Sequence, residues 1–425
     1  MKNRSNDCQM LLRVNLSTGA VSREELPRDW TRLYLGARGV NSRLLFNEVP
    51  AGIDPWGDQN VLYIGTGPMD GLPVGNSRIS IACKSPRGSV AEGSGGGFFG
   101  PELRRAGYDY LAIHGKAVRP VYLYICNETV EIRDASHLWG LTTVQTDDAL
   151  RREIADPNFQ FRYIGPAGEN GVHASVIMGN LNNSAGRAGC GEVMGSKKLK
   201  AIAVRGTGGI RVANYSAFLD AYKEYRSRLD LTTSRDPWTP VWSTYGAPVL
   251  ARLFTDMGNL MTFNAREMSW GRDKTARISA EVFLDDYVTK AKACFNCPWT
   301  ACQKQYEIPK GKYKGFKGGN YWAGQPVVFG SSIDNDDLDL LLVISGLCNQ
   351  YGLDIFHVGF TLSWAMECFE NGLLTKTDTD GLDLRFGCPD PDGLVDLVRK
   401  IAYKEGFGEL LAKGSWEASK VVGRG

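Results

Sequence analysis

No run in this chain approaches the ~20 consecutive apolar residues of a membrane-crossing helix, and the polar opening from Met1 to Cys8 lacks the apolar core of a secretory signal. The expectation is a cytoplasmic protein with no membrane role. Nor is there an excess of charge: 49 Lys and Arg stand against 47 Asp and Glu, a formal net charge of +2. Such a balance gives no bulk attraction to nucleic acid or to an anionic surface, so any positive site must be local. Internal repeats and low-complexity tracts are absent. Only four histidines occur, which leaves little room for imidazole-based metal sites.

Glycine, by contrast, is abundant, 50 of 425 residues, and implies tight turns or close approach of backbone to a ligand. The ten cysteines are scattered except for one run, CFNCPWTAC, which holds Cys294, Cys297 and Cys302. Three thiolates that close can bind soft iron or zinc, and an iron-sulfur cluster usually takes four. Zinc is the first rival, but no His-x3-5-His and no second Cys-x2-Cys follows. The plainest alternative is chance clustering in a cysteine-containing core. An iron-sulfur cluster fits the spacing best, and electron transfer becomes the leading theme.

A length of 425 residues calls for two or three domains. Residues Leu11 to Glu25 read as a hairpin. Val61 to Ile64, Arg78 to Cys83, Tyr110 to His114, Val121 to Cys126, Phe161 to Ile164, Ala174 to Met178 and Ala201 to Val204 read as short strands. Helical spacing marks Gly39 to Glu48 and Thr143 to Ile154. After Arg211 it dominates: Tyr215 to Leu229, Ser279 to Cys294, Asp336 to Tyr351, Val358 to Asn371 and Asp392 to Glu405. The expected class is α+β, with a β-rich domain over 1–208 and a mainly α-helical one over 209–425.

Two glycine-rich loops fall in the β-rich part. The first, Glu92 to Gly100, offers exposed amides to a phosphate or flat heterocycle, but no Gly-Lys-Ser/Thr closes it as in a P-loop. A packing turn is its plainer reading. The second, Asn182 to Gly191, adds hydroxyl and amide side chains. Arg78 and Arg187 could each present a planar fork to a phosphate, so a large anionic cofactor is the joint expectation.

With both loops and the cysteines in view, the chain resembles the aldehyde:ferredoxin oxidoreductase family of tungsten and molybdenum bis-pterin enzymes. The resemblance is carried by the opening hairpin, Tyr34 to Gly39, GGGFFGPELRRAGYDYLAIHGKA (Gly95 to Ala117) and RAGCGEVMGSKKLKAI (Arg187 to Ile202). It continues through the cysteines to Gly352-Leu353-Asp354 and Gly406 to Leu411. It implies a β-rich base domain under both pterins and helical domains that clamp them. Arg78 and Arg187 would meet pterin phosphates; Ser94, Gly96, Ser184 and Gly186 would supply backbone or hydroxyl contacts. Asn349, Leu353 and Asp354 match the family's first pterin motif, and Cys294, Cys297 and Cys302 would be three ligands of a [4Fe-4S] cluster. The resemblance leaves room for magnesium between the pterin phosphates and for a homodimer.

It also implies a reaction: aldehydes oxidised to carboxylic acids, with electrons passed to ferredoxin or another electron-carrier subunit. A second enzyme reading is reduction of an aromatic thioester, as in the tungsten subunit of benzoyl-CoA reductase. A reading from another class is a catalytically silent two-domain scaffold. The chain departs from the family pattern in having Asn349 for Asp, Ser94 for Asn, Asn183 for Arg, and four residues where three usually separate the last two cysteines. It also stops near where a third domain usually begins, so the fourth ligand is expected on a separately encoded C-terminal domain. Cys348 reads as a core cysteine. His357 could serve as a base, though a helix-start histidine satisfied by backbone is the plainer reading.

Overall fold

The computed structural model describes residues 9–73, 75–180, 183–185, 187–229, 237–299 and 303–423. The fold is α+β, and contacts divide the chain into two compact units, Met1–Thr233 with Cys294–Pro298, and Ser234–Ala293 with Trp299–Gly425. The cysteine segment 294–298 therefore belongs with the β-rich unit.

Among the described residues ten strands build the first unit: β1 Met10–Asn15, β2 Val21–Glu25, β3 Leu62–Gly65, β4 Ile79–Lys84, β5 Val90–Gly95, β6 Tyr110–His114, β7 Val121–Cys126, β8 Thr129–Asp134, β9 Gln160–Tyr163 and β10 Leu199–Arg205. They form a six-stranded sheet in the order β2-β1-β6-β3-β4-β5 and a four-stranded sheet in the order β8-β7-β10-β9. Among the described residues only the β1/β6 and β7/β10 pairs are parallel. Successive side chains of a strand point to opposite faces, and that alternation makes the layers. Leu12, Val14, Ile64, Leu111 and Ile113 of the first sheet share one core with Leu123, Ile125, Ile202 and Val204 of the second. The other face of the first sheet, with Leu11, Tyr63 and Tyr110, takes Val40, Leu44 and Leu45 of the helix Arg38–Glu48. The far face of the second, with Tyr122, Phe161 and Tyr163, takes Leu150 of Thr143–Ile154. A capping box between Thr142 and Gln145 starts that helix.

Several expectations need correction. Ala174 to Met178 makes isolated bridges and no strand. The stretch read as a loop from Glu92 begins instead as β5, in register with β4 through Ser80 and Ser94. The helix expected to run from Ser279 to Cys294 ends at Asp286, and strand β11 Val288–Lys292 follows. With β12 Gln303–Glu307 and β13 Lys317–Gly319 it forms a three-stranded sheet in the second unit. Helical spacing there concealed a short antiparallel sheet, in which β11 is largely exposed and β12 largely buried. That sheet meets the helix Leu338–Tyr351, where the Tyr306 hydroxyl donates to the Leu342 carbonyl at 2.7 Å. The remaining long helices, Ile355–Glu370 and Pro391–Tyr403, lie close to where the periodicity placed them.

Asp70, in the turn after β3, is fully buried, and burial pushes its carboxyl up to about 7 from an ordinary 3.8. Gly67 N–H donates to it and Arg104 lies near, both favouring the ionised form, but burial prevails. A folded pKa above the unfolded one means the stabilising contribution is complete below about pH 3.8 and is lost as pH rises through about 7. Asp70→Asn should therefore flatten the decline in melting temperature between pH 5 and 8; an undiminished decline would show that another group causes it.

Candidate functional site

The chemistry of the first unit gathers at one end of β5, where Gly95 leads into Gly96 and Gly97 and then the helix Phe99–Arg105. Gly97 has φ +102°, a conformation open to glycine, and its N–H donates to Cys294 Sγ at 3.3 Å. A Cβ on Gly96 would lie 2.8 Å from the same sulfur, so that backbone approach requires glycine. The cysteine segment is bound reciprocally: Phe295 N–H donates to the Gly97 carbonyl at 3.2 Å. The Phe295 ring sits edge-on to Phe98 and under the Arg105 guanidinium. Cys297 N–H donates to the Cys294 carbonyl at 3.0 Å, closing the turn between the first two cysteines. Gly97→Ala should cost about 2 kcal/mol through the positive φ, and more through the crowding of its Cβ against Asn180 and Asn183. Its melting temperature should fall.

The second glycine-rich loop adjoins the first. Ala185 bridges to Ile177, and a Cβ on Gly95 would lie 2.9 Å from the Ala185 Cβ and 3.1 Å from the Ser184 carbonyl oxygen. Arg162 of β9 joins the two: Nη1 donates to the Asn183 carbonyl at 2.9 Å and Nη2 to the Gly96 carbonyl. Arg162 went unnoticed in the sequence because Phe161 to Ile164 reads as an apolar run; an arginine inside such a run was the available signal. Arg78, at the entry to β4, is exposed, and its Nη1 donates to Ser94 Oγ at 2.8 Å. Ser184 and Arg187 are exposed. Gly186 and Cys302 lie outside the described residues, and among those described no group of three His, Cys, Asp or Glu is assembled to hold a metal.

In the second unit the expected pterin motif spans a helix junction. Asn349, in the last turn of Leu338–Tyr351, donates through Nδ2 to the Gly319 carbonyl of β13 at 3.3 Å. Gly352 then takes φ +74° to end that helix, and Leu353 is 1% exposed in the core. Asp354 is the N-cap of Ile355–Glu370, its Oδ1 accepting from Phe356 and His357 N–H at 2.8 and 3.1 Å. A side-chain oxygen there satisfies amides that have no partner within the helix. His357 packs its ring beside Gly414, where a Cβ would not fit. Cys348 is fully buried in the helix Leu338–Tyr351, and burial drives its thiol far up.

With that geometry in place, comparison with known proteins gives the family. Residues 11–206 match the aldehyde ferredoxin oxidoreductase N-terminal domain, and residues 223–425 match aldehyde ferredoxin oxidoreductase domains 2 & 3. The chain belongs to the aldehyde ferredoxin oxidoreductase family. It is 36% identical over 416 residues to the tungsten-containing aldehyde ferredoxin oxidoreductase of Pyrococcus abyssi, covering 96% of this chain and 66% of that protein. It is 32% identical over 427 residues to the aliphatic sulfonate oxidoreductase WOR-like subunit of Pyrococcus furiosus, covering 96% of this chain and 66% of that protein. Among solved structures, the active-site complex BamBC of benzoyl coenzyme A reductase with 1,5-dienoyl-CoA aligns with TM-score 0.84 and 30% identity, over 99% of this chain and 63% of that one. The chain thus spans about two thirds of the length of the curated relatives it matches. Both domain descriptions are matched, so the expected separate C-terminal domain gains no support. Among the described residues no helix is long and apolar enough to cross a membrane.

Proposed function

We propose that this chain binds a tungsten or molybdenum bis-pterin and a [4Fe-4S] cluster and oxidises aldehydes to carboxylic acids, passing electrons to ferredoxin. The observation that carries the reading is the Gly97 N–H directed at Cys294 Sγ in a family-matched chain. The residues present fit such groups. Only glycine at position 96 leaves room for the sulfur, and the Arg162 Nε is buried with no partner, as a site awaiting an anion would have it. Once bound, the metal centre supplies two-electron chemistry at a carbonyl carbon and the cluster supplies single-electron steps.

The protein's part is to bind and orient. Cys294, Cys297 and Cys302 would ligate the cluster. Arg78 and Arg187, exposed and forked, would grip pterin phosphates bidentately, and the Arg78 to Ser94 hydrogen bond holds the first fork at the loop. Gly96, Ser184 and Gly186 would offer small groups and amides alongside. In the second unit, Asn349, Leu353 and Asp354 would meet a pterin ring edge; Asn349 brings an amide where a charged acceptor would bind more strongly.

Reduction of an aromatic thioester is the second reading, favoured by the likeness to the benzoyl coenzyme A reductase complex. The two separate by experiment. Protein expressed anaerobically with tungstate or molybdate should carry that metal with iron and sulfide, and should reduce a viologen dye when given aldehydes. Turnover confined to an aromatic CoA thioester would favour the second reading. Protein that binds neither metal nor iron would be the silent scaffold.

A further inference from the structure

We propose that Arg162 is a positioning residue, the buried counter-charge for the anionic group that Cys294 holds, and that it sets the reduction potential of that group. The inference rests on the reading of Cys294 as a cluster ligand. Arg162 lies opposite Ile202 in the β9/β10 pair, on the strand face away from Phe161 and Tyr163, and is fully buried. Its two hydrogen bonds go to neutral carbonyls, one from each glycine-rich loop, and its Nε has none. Added Cβ atoms on Gly95 and on Gly179 would each come within 2.9 Å of Nη1, so both neighbours must be bare for the guanidinium to fit.

The charged and titratable groups bearing on it are Tyr163, Cys294 and Arg78, with no Asp or Glu among the described residues. Burial pushes the guanidinium down to about 10, which still leaves it cationic at neutral pH. A cation buried without an anion is costly. The fold ties this one to the Gly96 carbonyl, and Gly96 lies against Cys294 Sγ, so the missing anion is a Cys294 thiolate and whatever it ligates. A fixed positive charge there favours the more negative, reduced state and raises the potential.

The test is a potentiometric titration, followed by electron paramagnetic resonance, on anaerobically purified wild-type chain and on Arg162→Gln and Arg162→Lys. Iron content is read first: wild-type protein without iron overturns the ligand reading itself. Given iron, Arg162→Gln should titrate at a lower potential with its iron retained, because glutamine can still donate to a carbonyl but carries no charge. An unchanged potential overturns the proposal. Should Arg162→Gln not fold, Arg162→Lys decides. A buried amine can lose its proton where the guanidinium does not, so its potential should match wild type near neutral pH and fall with rising pH. A Lys profile as flat as the wild-type one up to about pH 9, below the wild-type guanidinium's own value of about 10, overturns the proposal.

Discussion

Cys294→Ser protein, purified without oxygen, should retain at least about 100-fold less iron than wild type and lose aldehyde-dependent dye reduction with it. The sulfur sits half-buried under the Gly97 N–H, in a space bounded by Gly96. A serine hydroxyl would occupy that space well enough, so the fold should survive. What disappears is the soft thiolate donor, since a hydroxyl stays protonated at neutral pH and binds iron poorly. Cys348→Ser is the matched control. That thiol is fully buried in the helix Leu338–Tyr351 and held neutral by burial; its replacement should lower stability and leave iron retention as in wild type. Iron analysis with circular-dichroism melts separates the two effects. Iron lost in Cys348→Ser and kept in Cys294→Ser would reverse the assignment.

Gly195→Ala should destabilise the first unit by about 3 kcal/mol, a fall in melting temperature of roughly 5–10 °C. The helices Pro166–Glu169 and Cys190–Ser196 cross at glycines. A Cβ on Gly195 would run into the Gly168 carbonyl, one on Gly168 would lie 3.1 Å from the Gly191 carbonyl, and one on Gly191 2.8 Å from the backbone of Ser175 and Val176. At Gly195 and Gly191 every obstacle is backbone, so no rotamer change relieves it and a helix must move. Cys190–Ser196 follows directly on the second glycine-rich loop, so its displacement should disturb the contact between Ala185 and Gly95 as well. Gly209→Ala, at a position with open space around it, should stay within about 0.5 kcal/mol of wild type. Equal melting temperatures for the two variants would mean that the helix crossing is looser than its geometry.

Much of the fold was legible because the period of apolar residues dictates which face is buried. Leu12 and Val14, Leu111 and Ile113, Ile202 and Val204 alternate with residues of the opposite face, and their strands were expected within a residue or two. Leu338–Tyr351 and Pro391–Tyr403 were read from spacings of three and four. The misreadings share a cause. β5 contains Gly93, Ser94 and Gly95, whose low strand propensity is overridden by pairing along the whole of β4. β11 continues a helix-like pattern after Asp286, and pairing with β12 made it a strand.

The sequence alone determined the kind of site: three thiols in one short run, two glycine-rich loops and arginines near them, in an order that resembles one family. Residue type limits which atoms can bind iron or phosphate, and that chemistry needs no coordinates. Only the tertiary structure decided that Cys294–Pro298 joins the β-rich unit rather than the unit whose strands β11 and β12 flank it in sequence, that Gly97 turns its N–H to Cys294, and that Arg162 ties both loops together from inside the core. Those facts depend on residues 21 to 197 positions apart in the chain. Their meeting follows from how two sheets stack, a long-range outcome that local periodicity does not encode.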